Sequence, residues 1–145
     1  MKVLLKIVLI FFGLLMYLSF VQATDYDEEL KRAKRENKPI LLYFYNRYCP
    51  YCDMMERNVI LDKSVKKIID NHIVFVWIDG DKRKDLMRNY EVFGFPTVIL
   101  LEPSGKPISS VPGYIHKENF LKILEYLKDG HYRKMSLKTY LQKKK

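Results

Sequence analysis

The only two cysteines of this chain stand three residues apart, in Cys49-Pro50-Tyr51-Cys52, directly after the apolar run Ile40-Leu41-Leu42-Tyr43-Phe44-Tyr45. A continuous apolar run of that length reads as a strand buried on both faces. Pro50 suits the first turn of a helix, where its missing N–H costs nothing, and the helix is expected to continue through Cys52, Met54 and Met55 to about Val59. A dithiol between a buried strand and a helix is poorly placed as a staple. Closing a four-residue loop constrains the unfolded chain by only about 2 kcal/mol, against about 3 kcal/mol for a fifteen-residue loop. The pair therefore reads as reactive rather than structural.

The 145-residue chain opens with Lys2 and Lys6, runs apolar from Ile7 to Val21 and presents small residues to Ala23. This is the pattern of a signal peptide over residues 1–23, with a charged region, an apolar region and a cleavage site. The apolar stretch falls short of the roughly 20 residues of a membrane-spanning helix, so cleavage is expected, with an uncleaved N-terminal membrane anchor as the alternative. A soluble periplasmic or secreted protein follows from cleavage. Residues 24–130 suffice for one domain with a single core, and residues 131–145 read as a basic C-terminal extension. The net charge of +9 is concentrated in that extension. An exported chain rarely meets nucleic acid, so the charge is read as solvated surface and no nucleic-acid partner is expected.

Thr24 and Asp25 can cap a first helix, with Glu28 in capping-box position, that ends before Pro39. Asp62 can cap another helical piece to about Asn71. Ile73 to Ile78 reads as a second buried strand, closed by Asp79-Gly80, and Trp77, Met54 and Met55 are expected in the core. Asp81 is expected to cap a charged helix ending near Tyr90. Thr97 to Leu101 is a third strand, and Pro103-Ser104-Gly105-Lys106 turns the chain into an antiparallel fourth, from Pro107 to Val111. Phe120, Leu121, Leu124 and Leu127 recur at helical spacing before Gly130. Ser136 can cap a short extra helix with Leu137, Tyr140 and Leu141 on one face. The order describes an α/β fold, a central mixed four-stranded sheet flanked by helices.

Free N–H groups of the first helical turn and the helix dipole favour a thiolate at Cys49, lowering its pKa below the free-thiol value of about 8.5. Cys49 is thus the candidate nucleophile. Cys52, one turn further on, is the candidate resolving thiol, in reach of a mixed disulfide formed at Cys49. A zinc site would need two more ligands, and His72, His116 and His131 lack the paired spacing to supply them. No metal and no cofactor beyond the redox-active Cys49–Cys52 disulfide is expected.

Cys-Pro-Tyr-Cys after a buried strand, followed by Gly94-Phe95-Pro96-Thr97 before a later one, resembles the thioredoxin superfamily. Glu36-Asn37-Lys38-Pro39-Ile40-Leu41-Leu42, Cys52-Asp53-Met54-Met55-Glu56, Gly105-Lys106 and Gly113-Tyr114 narrow the resemblance. They are similar to the thioredoxin-like periplasmic domain of transmembrane thiol-disulfide reductases and to small secreted SoxW-type thioredoxins. The resemblance implies a thioredoxin fold over about residues 26–127, a cis peptide bond before Pro96, and a Phe95 backbone free to pair with an extended substrate. It also sets Tyr43 where thioredoxin has a buried aspartate. Tyr43 cannot act as a base near neutral pH, so Glu56, one turn beyond Cys52, becomes the candidate proton acceptor. Tyr48 takes the place of the usual tryptophan before the first cysteine. Tyr48, Pro50, Tyr51, Phe95 and Pro96 are the candidate substrate contacts.

The expected activity is thiol-disulfide exchange with exported proteins that carry disulfides, in the reducing direction. A membrane-embedded thiol reductase is the implied electron donor, and a monomer is expected. A second reading, from a different class, is a redox-regulated binding module or chaperone that holds exported clients in the groove at Phe95 and Pro96.

Overall fold

A computed structural model describes Met1 and residues 25–144. The signal-peptide expectation and the Thr24 cap lie outside the described residues. Among those residues no helix is long and apolar enough to cross a membrane.

Helix α1 (Asp25–Glu36) leads into strand β1 (Ile40–Tyr45). Asn37 ends the helix in the left-handed region, at φ 51°, while the Lys38 N–H returns to the Ala33 carbonyl at 3.0 Å. Asparagine tolerates that conformation better than most residues, and Pro39 prevents continuation. After β1 come α2 (Pro50–Met55), a π-helical turn (Glu56–Ile60) and α3 (Lys63–His72). Asp62 caps α3, accepting from the N–H groups of Ser64 and Val65. Then follow β2 (Val74–Asp79), α4 (Lys84–Asn89), β3 (Thr97–Leu101), β4 (Pro107–Pro112) and α5 (Lys117–Lys128). A 3-10 turn (His131–Arg133) and α6 (Leu137–Lys143) complete the described chain.

The sheet has the order β2-β1-β3-β4, with β1 and β2 parallel and the other two pairings antiparallel. Successive side chains of a strand point to opposite faces, and β1 divides accordingly. Leu41 and Tyr43 join the core beneath α3, α5 and α6, with Val65, Ile69, Phe120, Leu124, Leu137 and Tyr140. Ile40, Leu42 and Phe44 join the opposite core with Ala33 of α1 and Leu86 of α4. Both faces of the central strand are covered, which is why its sequence is apolar throughout.

Three expectations need correction. Trp77 is 41% exposed, because among the described residues β2 is an edge strand with no neighbour on its outer side. Met54 is exposed while Met55 is fully buried, so only one of the adjacent methionines faces the core. Asp81 does not cap α4. The N–H groups of Lys82 and Arg83 close a turn onto the Asp79 carbonyl, and the helix starts only after Arg83.

Candidate active site

The register of the sheet brings three loops to one end. Tyr45, the last residue of β1, pairs with Asp79, the last of β2, and the Gly80 N–H donates to the Tyr45 carbonyl at 2.8 Å. Phe44 pairs with Thr97, the first residue of β3, so Pro96 stands beside the end of β1, from which the chain runs to Cys49. The dithiol loop, the turn at Gly80 and the loop Phe93–Pro96 thus share the carboxyl end of the two parallel strands, where α/β sheets place their chemistry.

Cys49 is the N-cap of α2, and Pro50 occupies its first turn. The cysteines form a disulfide with Cα atoms 5.2 Å apart. The Cys52 N–H donates to Cys49 Sγ at 3.1 Å, so the helix start directs a backbone donor at that sulfur. Cys49 is half-buried, whereas Cys52 is only 4% exposed. The two cysteines are unequal: Cys49 is partly exposed at a helix N-terminus, and Cys52 is buried.

Beneath Cys52 the Tyr43 hydroxyl donates to the Cys52 carbonyl at 3.3 Å. Burial, reinforced by the negative charges of Glu56 and Asp53, pushes the Tyr43 phenol well up from its ordinary value, which keeps it protonated. Burial, with Asp79 and Glu56, does the same at Tyr45. The half-buried Glu56 stands at the junction of α2 and the π-helical turn.

The Phe95–Pro96 bond is cis. Pro96 is buried, its carbonyl accepts the Gly113 N–H at 2.8 Å, and Thr97 Oγ1 donates to the Gly94 carbonyl at 2.8 Å. Among the described residues the Phe95 N–H and carbonyl have no hydrogen-bond partner. The Phe95 ring lies directly over Gly80, where any Cβ would collide with it. The conformational reading of Gly80 as a strand stop missed this close approach, which is a tertiary contact with no local signal. Around the dithiol Tyr48 is 84% exposed and Tyr51 61% exposed, and on the other loop Phe93 is 94% exposed. Phe93 and the exposed Met54 add apolar surface that sequence reasoning did not single out.

The family model of the thioredoxin-like domain matches residues 26–128. The chain belongs to the thioredoxin-like family. It is 30% identical over 105 residues to a thioredoxin of Borreliella burgdorferi, a match covering 72% of this chain and 86% of that one. It is 26% identical over 101 residues to the disulfide bond reductase DsbH of Chlamydia pneumoniae, covering 61% of each. It is 28% identical over 106 residues to the thiol:disulfide interchange protein DsbD of Ralstonia nicotianae, covering 70% of this chain but only 17% of that longer protein. Among solved structures, a thioredoxin-fold protein from Helicobacter pylori superposes with a TM-score of 0.66 at 26% identity, over 75% of this chain and 85% of that one. A Cys-x-x-Cys pair on this fold, with relatives of these kinds, makes the thioredoxin-like protein a thiol-disulfide oxidoreductase. Among the described residues no cluster of side chains could hold a metal ion.

Proposed function

We propose that this oxidoreductase works after export, reducing disulfides in extracytoplasmic proteins, with Cys49 as nucleophile and Cys52 as resolving thiol. The observation that carries the assignment is the asymmetry of the pair, a half-buried Cys49 sulfur facing the Cys52 N–H at 3.1 Å beside an almost fully buried Cys52. In the reduced protein the Cys49 thiolate attacks one sulfur of a client disulfide. A mixed disulfide forms, the client S–S bond breaks, and the other client sulfur leaves as a thiolate that takes a proton. Cys52, deprotonated by Glu56, then attacks the Cys49 sulfur. That step closes the Cys49–Cys52 disulfide and releases the second client thiol, so two electrons have passed to the client.

Tyr48, Pro50, Tyr51, Phe95 and Pro96 hold the client. The free Phe95 backbone supports this role, since an extended segment can add to it as to a strand edge. The direction of transfer rests on likeness to a relative named as a disulfide bond reductase, and export rests on the sequence from Lys2 to Ala23. A membrane-embedded thiol reductase would return the dithiol to its reduced form, and the protein acts as a monomer with residues 24–130 as its catalytic unit. Trapping with Cys52→Ala tests the roles: mixed disulfides with client proteins should accumulate at Cys49. A redox titration placing the dithiol near −120 mV rather than toward about −270 mV would reverse the direction.

A further inference from the structure

We infer that the segment after Gly130 is a preformed basic platform that docks the protein on an anionic phospholipid surface, with the dithiol facing away from it. Residues 131–145 contain Arg133, Lys134, Lys138, Lys143, Lys144 and Lys145 and no aspartate or glutamate. The fold fixes which way the described cations face. Leu137 and Tyr140 are buried in the core shared with α5, and Leu141 packs against it. The Tyr126 hydroxyl donates to the Met135 carbonyl at 2.8 Å, and Ser136 caps α6 by accepting the Thr139 N–H at 3.2 Å. With its apolar side docked, α6 turns Lys138 and Lys143 to solvent, alongside the exposed Arg133 and Lys134.

Cations such as Lys67 and Arg88 elsewhere on this surface also lack an ion pair among the described residues, but they lie among acidic neighbours and beside paired cations such as Arg32 with Glu29 and Glu36, Arg57 with Asp53, and Lys122 with Glu118, whereas residues 131–145 hold no carboxylate side chain. Among the described residues Arg133, Lys134, Lys138 and Lys143 make no ion pair, and only Lys144 approaches one, 3.6 Å from Glu125. Such unneutralised charge attracts an anionic surface over about a Debye length, roughly 10 Å at 0.1 M salt. The prevalence of lysine suits that occupant. An ammonium is a hydrated point charge that fits diffuse headgroup phosphates, whereas a shaped acidic protein surface favours the bidentate fork of arginine. A chain with an export-type leader also meets a membrane.

The topology sets the platform away from the chemistry. Strand β4, antiparallel to β3, runs parallel to β1 and ends at the dithiol end, where the Gly113 N–H meets the Pro96 carbonyl. Helix α5 starts there, with Lys117 3.0 Å from Asp62, and rises about 18 Å over its twelve residues as it covers the sheet. Helix α6 packs on its last turns, the Tyr140 ring 5.3 Å from that of Tyr126.

The test is sedimentation of the full chain with vesicles of neutral phosphatidylcholine and of phosphatidylcholine mixed with phosphatidylglycerol. Neutral vesicles measure any binding through the apolar run Ile7–Val21, and the excess on anionic vesicles is the readout. The excess should fall at least tenfold in Lys134→Glu, Lys138→Glu, Lys143→Glu, and vanish as salt rises from about 0.05 M to about 0.5 M. The corresponding triple arginine variant should keep it. Disulfide reduction by the vesicle-bound protein should proceed as in solution. No anionic excess, an excess indifferent to the charge reversal, or its loss in the arginine variant would overturn the proposal, the first leaving an acidic protein as the occupant. Slowed reduction on vesicles would overturn the orientation. None of the binding readouts depends on the catalytic roles proposed above.

Discussion

The Tyr43 hydroxyl donates to the backbone carbonyl of Cys52 across the junction of β1 and α2, at 3.3 Å. The contact ties the central strand to the first turn of the helix that presents the dithiol. A bond of that length to a neutral acceptor contributes little, so Tyr43→Phe should lower stability by only about 0.5 kcal/mol. Tyr43→Ala, which empties a fully buried site, should cost about 3 to 5 kcal/mol. Chemical denaturation measures both. Because burial and the nearby carboxylates hold the phenol protonated, Tyr43→Phe should also leave the pH profile of disulfide reduction unmoved. A displaced profile would mean that the hydroxyl takes part in proton transfer.

Glu56 follows from the same argument. With a neutral phenol beneath Cys52, the nearby carboxylate on the helical path is Glu56, whose charge reaches both Tyr43 and Tyr45. Glu56→Gln should slow closure of the mixed disulfide by about a hundredfold or more, the lower end of the usual contribution of a general base, while sparing the first attack by Cys49. Stopped-flow measurement of the two steps separates them. In the reduced protein, alkylation should modify Cys49 far faster than Cys52, with a rate midpoint below the free-thiol value of about 8.5.

Asp62 gives a pH dependence of stability. Its carboxylate is held well below the usual range, first by the Ser64 hydroxyl and then by Lys117, with the N–H groups of Ser64 and Val65 adding to the effect. A depressed folded-state pKa stabilises fully above the unfolded value of about 4 and is lost as pH falls toward the folded value, because the unfolded chain takes up the proton first. Asp62→Asn keeps a capping residue but removes the titration. The melting temperature of the wild type should therefore drop more steeply below about pH 4 than that of the variant. Parallel curves would assign the acid sensitivity to other groups.

What the sequence discloses of this fold is the part governed by local pattern. Ile40–Tyr45 and Thr97–Leu101 are apolar throughout because helices cover both faces, and their limits are legible to the residue. Asp62 and Ser136 cap where their spacing says they should. The misreadings come from position in the sheet and from competing partners. Trp77 sits on an edge strand, and edge position is a property of strand order rather than of the strand's own residues. Asp81 misses the cap because the N–H groups of Lys82 and Arg83 close a turn onto the Asp79 carbonyl, which delays the helix to Lys84 and leaves Arg83 at its N-cap. The helix through Cys52 widens into a π-helical turn at Glu56 without any proline or glycine to mark it. At the site, the cysteine pair and Pro96 were legible from spacing and resemblance. The seat of the Phe95 ring over Gly80 was not, since it depends on which strands end side by side.

That contact makes Gly80 a test of the proposed client-binding role of the Phe95 loop. A methyl group at position 80 would meet the Phe95 ring and also stand 3.0 Å from Met87 Sδ. The ring is the far end of a half-buried side chain, so it can move at moderate cost, about 1 to 3 kcal/mol by analogy with overpacked cores. Moving it displaces the loop whose free backbone is proposed to pair with the client. Gly80→Ala should therefore remain folded yet reduce a protein disulfide several-fold more slowly, while reduction of a small aromatic disulfide, which needs no strand pairing, changes little. Equal loss on both substrates would point to disturbance of the dithiol itself, and no loss on either would remove Phe95 from client binding.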